Sequence, residues 1–127
     1  MEDQFRWLEN EPEEVVQEAF GNLESELLIL EVTIELNNQD WTVRMRQLYA
    51  QTVPLMRQWL GWYEMRGLIE HDVGPLEQEL LALLDIYHHE LTMFEEVRDL
   101  QLQDYANKEQ EVAAVAAIIQ RRGIRYP

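Results

Sequence analysis

The chain contains no cysteine among its 127 residues. This absence excludes disulfide scaffolds, cysteine-ligated metal sites and thiol nucleophiles. It also suits a reducing compartment, so we expect a cytoplasmic location. No run approaches the roughly 20 apolar residues of a membrane span. The N-terminus, Met1-Glu2-Asp3-Gln4, is acidic, whereas a signal peptide would begin with basic residues. We therefore expect neither a membrane segment nor a leader.

Basic residues are few: one lysine and nine arginines stand against 25 acidic residues, and the formal net charge is −15. Nucleic acids and anionic membranes are polyanions, which a chain of this charge repels. We therefore expect no direct binding to nucleic acid or to membranes. A basic protein is compatible with the charge as a partner.

Proline and glycine are also scarce, with four and five residues, and they help to divide the chain into four candidate helices. In each helix, apolar residues recur at spacings of four and three, which is typical of the buried side of an amphipathic helix. Polar stretches predict a turn at 37–40 and a bend at 101–107. The helices are expected at about 12–36, at 41–66, from Gly74-Pro75 to the bend, and at 105–122, with Gly123 just past the end.

The second predicted helix carries two adjacent apolar seams instead of one. A face of this width indicates a helix that lies at the centre of a bundle or against a partner. Pro54 lies inside the helix and is expected to kink or divide it. The two seams consist of Trp41, Met45, Leu48, Thr52, Leu55, Trp59 and Trp62, and of Tyr49, Val53, Met56, Leu60 and Tyr63.

Charge alternates along the chain in step with the predicted helices. Residues 1–40 and 71–107 carry net charges of −11 and −8, whereas residues 41–70 and 108–127 each carry +2. In an up-down bundle each helix neighbours the next one in sequence, so like-charged helices lie on the diagonals. The alternation therefore favours an antiparallel four-helix bundle.

We predict one all-α domain over residues 1–127. Residues 1–11 are expected to form a peripheral N-terminal arm and residues 123–127 a C-terminal tail. One segment also fits a different fold, because every second residue is apolar from Leu28 to Leu36 and again from Trp41 to Met45. The alternative is an α+β fold with a β-hairpin at about 28–46 packed on helices.

Histidine is scarce as well, with three residues in the chain. Asp85 and His88 have a spacing that could place two metal ligands on one side of a helix, but a di-iron bundle needs such a pair on two helices. The sequence has no second pair. Because His88 falls between Leu84 and Leu91, we expect a histidine packed in or beside the core. The sequence predicts no metal, no cofactor and no catalytic centre.

A short stretch, Arg66-Gly67-Leu68-Ile69-Glu70-His71, separates an arginine from a histidine by four residues. This spacing resembles the motif of the HEPN ribonucleases, which are helical bundles. The resemblance implies that Arg66 and His71 of two subunits converge on an RNA phosphate. The family usually has a polar residue where this chain has Gly67. A HEPN-like ribonuclease is one alternative function.

The start of the chain carries a second resemblance. Phe5-Arg6-Trp7-Leu8 precedes Glu13-Glu14, Glu18-Ala19, Leu23 and Glu26-Leu27. This pattern is similar to the first helix of the lentiviral Vpr/Vpx accessory proteins. The zinc-binding histidines and cysteines of that family have no counterpart here. The resemblance implies a viral or phage accessory protein that binds a host protein.

Apolar residues exceed what the core of a small bundle needs, since one stripe per helix is sufficient. Tryptophan and tyrosine are typical anchors of protein interfaces. We therefore expect a non-enzymatic protein–protein interaction module, such as an adaptor, that forms a homodimer or binds another protein. The residues expected to form its surface are Phe5, Trp7, Leu28, Ile29, Val32, Trp59, Trp62 and Tyr63.

The net charge of −15 supports another alternative, an acidic decoy that mimics DNA and inhibits a nucleic-acid-binding enzyme. Such a protein presents carboxylates where DNA presents phosphates. Its binding to a basic enzyme would weaken steeply as the salt concentration rises.

Overall fold

The computed structural model describes residues 2–65 and 74–125. A 3₁₀-helix at Glu2–Asn10 precedes two long α-helices, α1 at Glu13–Glu64 and α2 at Gly74–Arg122. These described residues contain no β-strand. The predicted all-α class is therefore confirmed. The described part of one chain supplies two α-helices, however, rather than the four of the predicted bundle.

The predicted turn at residues 37–40 is wrong, because α1 continues through it. Asparagine and aspartate favour turns locally. The buried seam nevertheless stays in phase across them, since Ile34, Asn37 and Trp41 are all half-buried at spacings of three and four. Packing along this seam outweighs the local preference, as it commonly does in long helices.

The predicted bend at residues 101–107 is wrong for the same reason, and α2 runs through it unbroken. Gln101, Tyr105 and Lys108 are half-buried and continue the seam at spacings of four and three. Polar side chains with long stems can cover apolar surface while their heads remain in water. The third and fourth predicted helices are consequently one helix.

The alternative β-hairpin at residues 28–46 is also wrong, since the whole segment is α-helical. In a helix, Leu28, Val32 and Leu36 lie four residues apart and therefore on one side. All three side chains are about half exposed. The alternation that resembled a strand comes from an apolar stripe that lies outside the buried seam of α1.

Pro54 lies within α1 and does not divide it. Proline has no N–H to donate to the carbonyl four residues earlier, so the helix forgoes one backbone hydrogen bond there. The Pro54 ring is exposed. Nearby, the buried Thr52 hydroxyl donates to the Leu48 carbonyl at 2.7 Å, which satisfies its polar group inside the helix.

The chain forms two compact units. The first contains the chain up to Leu36 and from Arg98 onward, and the second contains Asn37–Val97. Each unit therefore includes one segment of α1 and one segment of α2.

The core of the first unit joins three elements. Leu8 of the 3₁₀-helix, Val16 of α1 and Val115 of α2 are fully buried, and Ile118 and Ile119 complete the cluster. The segment predicted as an N-terminal arm thus places Leu8 in the core. This unit has a closed apolar centre made of its own residues.

α2 ends as its sequence predicts. Gly123 has a φ of +65°, a left-handed conformation that glycine adopts without steric cost. The Ile124 N–H donates to the Ile119 carbonyl at 3.0 Å, and the Gly123 N–H donates to the Gln120 carbonyl at 3.3 Å. This is the hydrogen-bond pattern of a Schellman cap.

The second unit is a pair of antiparallel helix segments. Trp41 stacks on Phe94 with ring centroids 4.5 Å apart, and Trp59 Nε1 donates to Glu77 Oε1 at 3.0 Å. The beginning of one segment therefore meets the end of the other. The first seam predicted for α1, from Trp41 to Trp62, is buried or half-buried and forms its inner seam, and Leu76, Leu83 and Phe94 of α2 are buried or half-buried as well. The buried residues described in this unit are few, namely Met45, Leu48, Thr52 and Leu76.

Candidate protein-binding surfaces

The second unit has an apolar side that its two-helix core does not cover. Tyr49 and Tyr87 meet there, with ring centroids 5.9 Å and hydroxyl oxygens 3.5 Å apart. This contact places the second seam of α1 on the same side as the neighbouring leucines of α2. Tyr49, Leu60, Tyr63 and Leu84 are exposed large side chains. We name this surface the side face; it consists of Tyr49, Val53, Met56, Leu60, Tyr63, Leu80, Leu84, Tyr87 and Leu91.

The side face carries no ionisable group that is charged at neutral pH. Tyr49 and Tyr87, two of its three tyrosines, share a hydrogen bond, which raises the pKa of the Tyr87 hydroxyl, and the charge of Tyr49 and burial act in the same direction. A phenol ordinarily titrates near pH 10. The face is therefore neutral under physiological conditions and can be buried without leaving an unpaired charge.

On α1, the opposite side of the same helix pair is polar. The Arg44 guanidinium forms an ion pair with Glu90 at 2.7 Å, and that hydrogen bond and charge raise the pKa of Arg44. On α2, this side also exposes the apolar residues Ile86, Met93 and Val97. The difference between an apolar side and a polar side is therefore a property of α1 alone. The polar residues of α1 on this side are Asp40, Arg44, Gln47, Gln51 and Gln58.

The first unit carries an apolar groove of about 430 Å³. Leu28 and Val32 of α1 line it together with Leu102 of α2. All three side chains are exposed. The groove is thus a surface that one copy of the chain leaves open to solvent.

Carboxylates border this groove. Glu31 and Glu35 are among its lining residues and lie four apart on α1. Tyr105, which also lines the groove, has a raised pKa, first because of burial and then because of Glu109 and Glu31. The groove therefore combines apolar walls with a negative border.

Several residues of the predicted partner surface lie in the first unit. Phe5 is half-buried and packs against the core cluster, whereas the neighbouring Trp7 is exposed. Leu28, Ile29 and Val32 are 59%, 64% and 49% exposed. Leu28 and Val32 meet in the groove, while Ile29 is not among its lining residues.

The other predicted residues lie in the second unit. Trp59 and Trp62 are half-buried members of the inner seam of α1. Tyr63 is exposed and stacks on Trp59 with ring centroids 5.1 Å apart. Sequence reasoning missed Leu84 of the side face and Leu102 of the groove. Each lies outside the main seam of its helix, and only a pairing of the two helices identifies its neighbours.

His88 and the Arg66 and His71 motif are the residues that the sequence links to metal or RNA chemistry. His88 is exposed, so the expected packing of this histidine is wrong. Within residues 2–65 and 74–125, no group of three or more histidine, aspartate or glutamate side chains could hold a metal ion. The Arg66 and His71 motif lies outside the described residues.

Within the same described ranges, no helix combines the length and the apolar composition needed to cross a membrane. No family model matches the chain, and neither the curated proteins nor the solved structures contain a significant match. The function therefore has to be inferred from the exposed surfaces of the two units.

Proposed function

We propose that this chain is a non-enzymatic protein–protein interaction module, and that it acts as an adaptor. The observation that carries the proposal is the groove of the first unit, where Leu28, Val32 and Leu102 are exposed and none of the three belongs to the core cluster of that unit. A contiguous exposed apolar patch bordered by polar groups is typical of a protein-binding site.

The border of the groove indicates the chemistry of the partner. Glu31 and Glu35 lie on one side of α1, and residues 1–40 carry a net charge of −11. An amphipathic helix with leucine-like residues along one side and lysine or arginine beside them would fill the groove and pair with the carboxylates. Charge complementarity of this kind raises the association rate and selects among partners.

A capture experiment tests the proposal with two matched variants. Immobilised wild-type protein and the Val32→Glu and Leu100→Glu variants are incubated with lysate of the source cells, and the retained proteins are identified. Both replaced residues are exposed in the first unit, but only Val32 lines the groove. We expect a protein that wild type and Leu100→Glu retain and that Val32→Glu loses at least about tenfold, because a carboxylate would be buried without a partner.

The same retained proteins on all three samples would contradict the proposal. So would a retained protein whose yield depends on salt but not on Val32, because the net charge alone would then account for its binding. The latter result would favour the acidic decoy instead.

A further inference from the structure

The second unit has few buried side chains. Among its described residues, those that are buried are Met45, Leu48, Thr52 and Leu76, and the rest of the inner seam of α1 is half-buried. Ordering a residue costs about 1–2 kcal/mol of conformational free energy, and half-buried side chains offset that cost less than fully buried ones do. A lone helical hairpin of this kind needs further apolar burial to be stable.

The side face offers that burial. It continues the apolar surface of the inner seam around one side of the helix pair, from Tyr49 to Tyr63 on α1 and from Leu80 to Leu91 on α2. Its aromatic residues, Tyr49, Tyr63 and Tyr87, are of the type that anchors protein interfaces. Covering this face would convert a two-helix layer into a closed core.

We propose that a second copy of this chain docks on the side face, so that the two helix pairs form a four-helix bundle. The proposal goes beyond the groove of the first unit, because it concerns another surface and another occupant. It also explains how a chain whose described residues form two α-helices can have the seams and the charge pattern that are typical of a four-helix bundle.

Charge complementarity favours a second copy over an unrelated protein. Within the second unit, residues 41–64 contain three arginines and one glutamate, whereas residues 74–97 contain six acidic residues and no lysine or arginine. Arg44 and Glu90 pair with each other on the opposite side of the helix pair. Without that pair, α1 still carries more arginine than glutamate in this range and the charged residues of α2 are all acidic, so a partner must be acidic against α1 and basic against α2. A second copy rotated by 180° about an axis parallel to the helices meets both requirements, since the α1 segment of each copy then faces the α2 segment of the other.

Arg57 and Glu77 illustrate this match. Both side chains are exposed. Trp59, two residues from Arg57 on α1, donates a hydrogen bond to Glu77, so Arg57 and Glu77 lie at about the same level of the helix pair. The two-fold rotation brings Arg57 of each copy toward Glu77 of the other. The opposite charges then border the apolar interface and set which helices face each other.

The native mass of the purified full chain, measured by sedimentation velocity, tests the proposal. Leu60 of the side face and Val43 on another side of α1 are 50% and 51% exposed, so they form a matched pair. We expect a dimer of twice 15.2 kDa for wild type and for Val43→Glu. Leu60→Glu should raise the dimer dissociation constant about tenfold or more, because each dimer would bury two carboxylates.

A second measurement does not depend on how a variant folds. The thermal unfolding midpoint of the wild-type chain should rise with protein concentration, since a dimer is stabilised by mass action and a monomer is not. A monomeric mass at about 100 μM, together with a midpoint that is independent of concentration, would overturn the proposal. Equal dissociation of the Leu60→Glu and Val43→Glu dimers would overturn the assignment to the side face.

The Arg57→Glu variant tests which helices face each other. At low salt it should weaken the dimer several-fold, because it places a carboxylate opposite the acidic α2 segment. An unchanged or tighter dimer would show that α1 faces α1 instead. Because purified protein contains no other partner, a monomer would refute self-association and leave capture by the groove unaffected.

Discussion

At the residue scale, Lys108 shows how the acidic chain uses its one lysine. Its Nζ lies 2.8 Å from Glu26 Oε2 and 2.9 Å from Glu111 Oε2. The side chain is 24% exposed, so solvent screens these ion pairs less than it screens pairs at the open surface. The hydrogen bonds to Glu26 and Glu111 raise the pKa of Lys108 against the opposing effect of burial, and the charges of the two carboxylates also raise it. Lys108 thereby ties the α1 segment of the first unit to its α2 segment.

Replacement of Lys108 should destabilise the protein in a pH-dependent way. We expect Lys108→Met to lower the free energy of unfolding by about 1 kcal/mol at pH 7. Since the folded-state pKa is raised, the contribution is complete below the unfolded value of about 10.4. It disappears as the pH rises through the folded value. Urea unfolding at pH 7, 9 and 11 measures this difference between variant and wild type.

The Lys108→Arg variant is the control, because it keeps the positive charge. It should lose clearly less stability than Lys108→Met at pH 7. Suppose that both substitutions lower the free energy of unfolding equally, and that both variants remain less stable than wild type at pH 11. Lys108 would then contribute through the packing of its side-chain stem and not through the ion pairs.

At the element scale, the continuity of α1 and α2 is the main feature that local sequence signals did not predict. Asn37 and its neighbours have turn propensity, and Pro54 removes a backbone donor, yet neither ends α1. Propensity differences amount to at most roughly 0.7 kcal/mol for ordinary residues and about 3 kcal/mol for a proline in a helix interior. A seam that runs along the whole helix can outweigh them, because its buried apolar side chains together contribute more.

The continuity of α1 predicts that Pro54→Ala stabilises the protein. Alanine restores the N–H that can donate to the Ala50 carbonyl and removes the ring from the helix interior. We expect a gain of about 2 kcal/mol in the free energy of unfolding, after allowance for the more flexible unfolded chain. Chemical unfolding monitored by circular dichroism measures this gain.

Pro75→Ala is the matched control, because Pro75 lies in the first turn of α2, where a proline disrupts no helical hydrogen bond. It should change stability by less than about 0.5 kcal/mol. Equal effects of the two substitutions would mean that α1 does not run as a helix through residue 54 in solution.

At the scale of the whole molecule, repulsion among acidic residues opposes folding. The chain has 25 acidic residues against ten basic ones. The ion pairs Arg44–Glu90 and Arg121–Glu9 each include a side chain more than half exposed to solvent. Such exposed pairs contribute little individually. The balance of charge therefore favours the unfolded, more extended chain.

Screening of this repulsion should stabilise the protein. We expect the thermal unfolding midpoint at pH 7 to rise between about 20 and 500 mM NaCl, as the Debye length falls from about 20 to about 4 Å. At pH 5, nearer the isoelectric point of about 4.4, the rise should be smaller, since fewer carboxylates are charged. A midpoint that falls with salt at pH 7 would instead assign net stabilisation to the ion pairs.

Parts of the candidate surfaces were predictable from the sequence. The second seam of α1, including Tyr49 and Leu60, follows from helical spacing alone, as does the exposed position of Leu28 and Val32 outside the main seam. The environment of Phe5 did not follow, because its burial depends on elements distant in sequence. Leu102 and Leu84 were not identifiable, because each belongs to a surface only through its neighbours on the other helix.

The sequence by itself determined the helical class, the buried seams of α1 and α2, the end of α2 at Gly123 and the acidic character of the chain. These properties depend on residues close together in sequence, and helical periodicity and charge report them directly. Only the tertiary structure decided that four helical segments are two helices, that Leu8 belongs to a core and that Leu28 and Val32 share a groove with Leu102. These outcomes depend on packing between distant segments, which can override local preference and which no local pattern records.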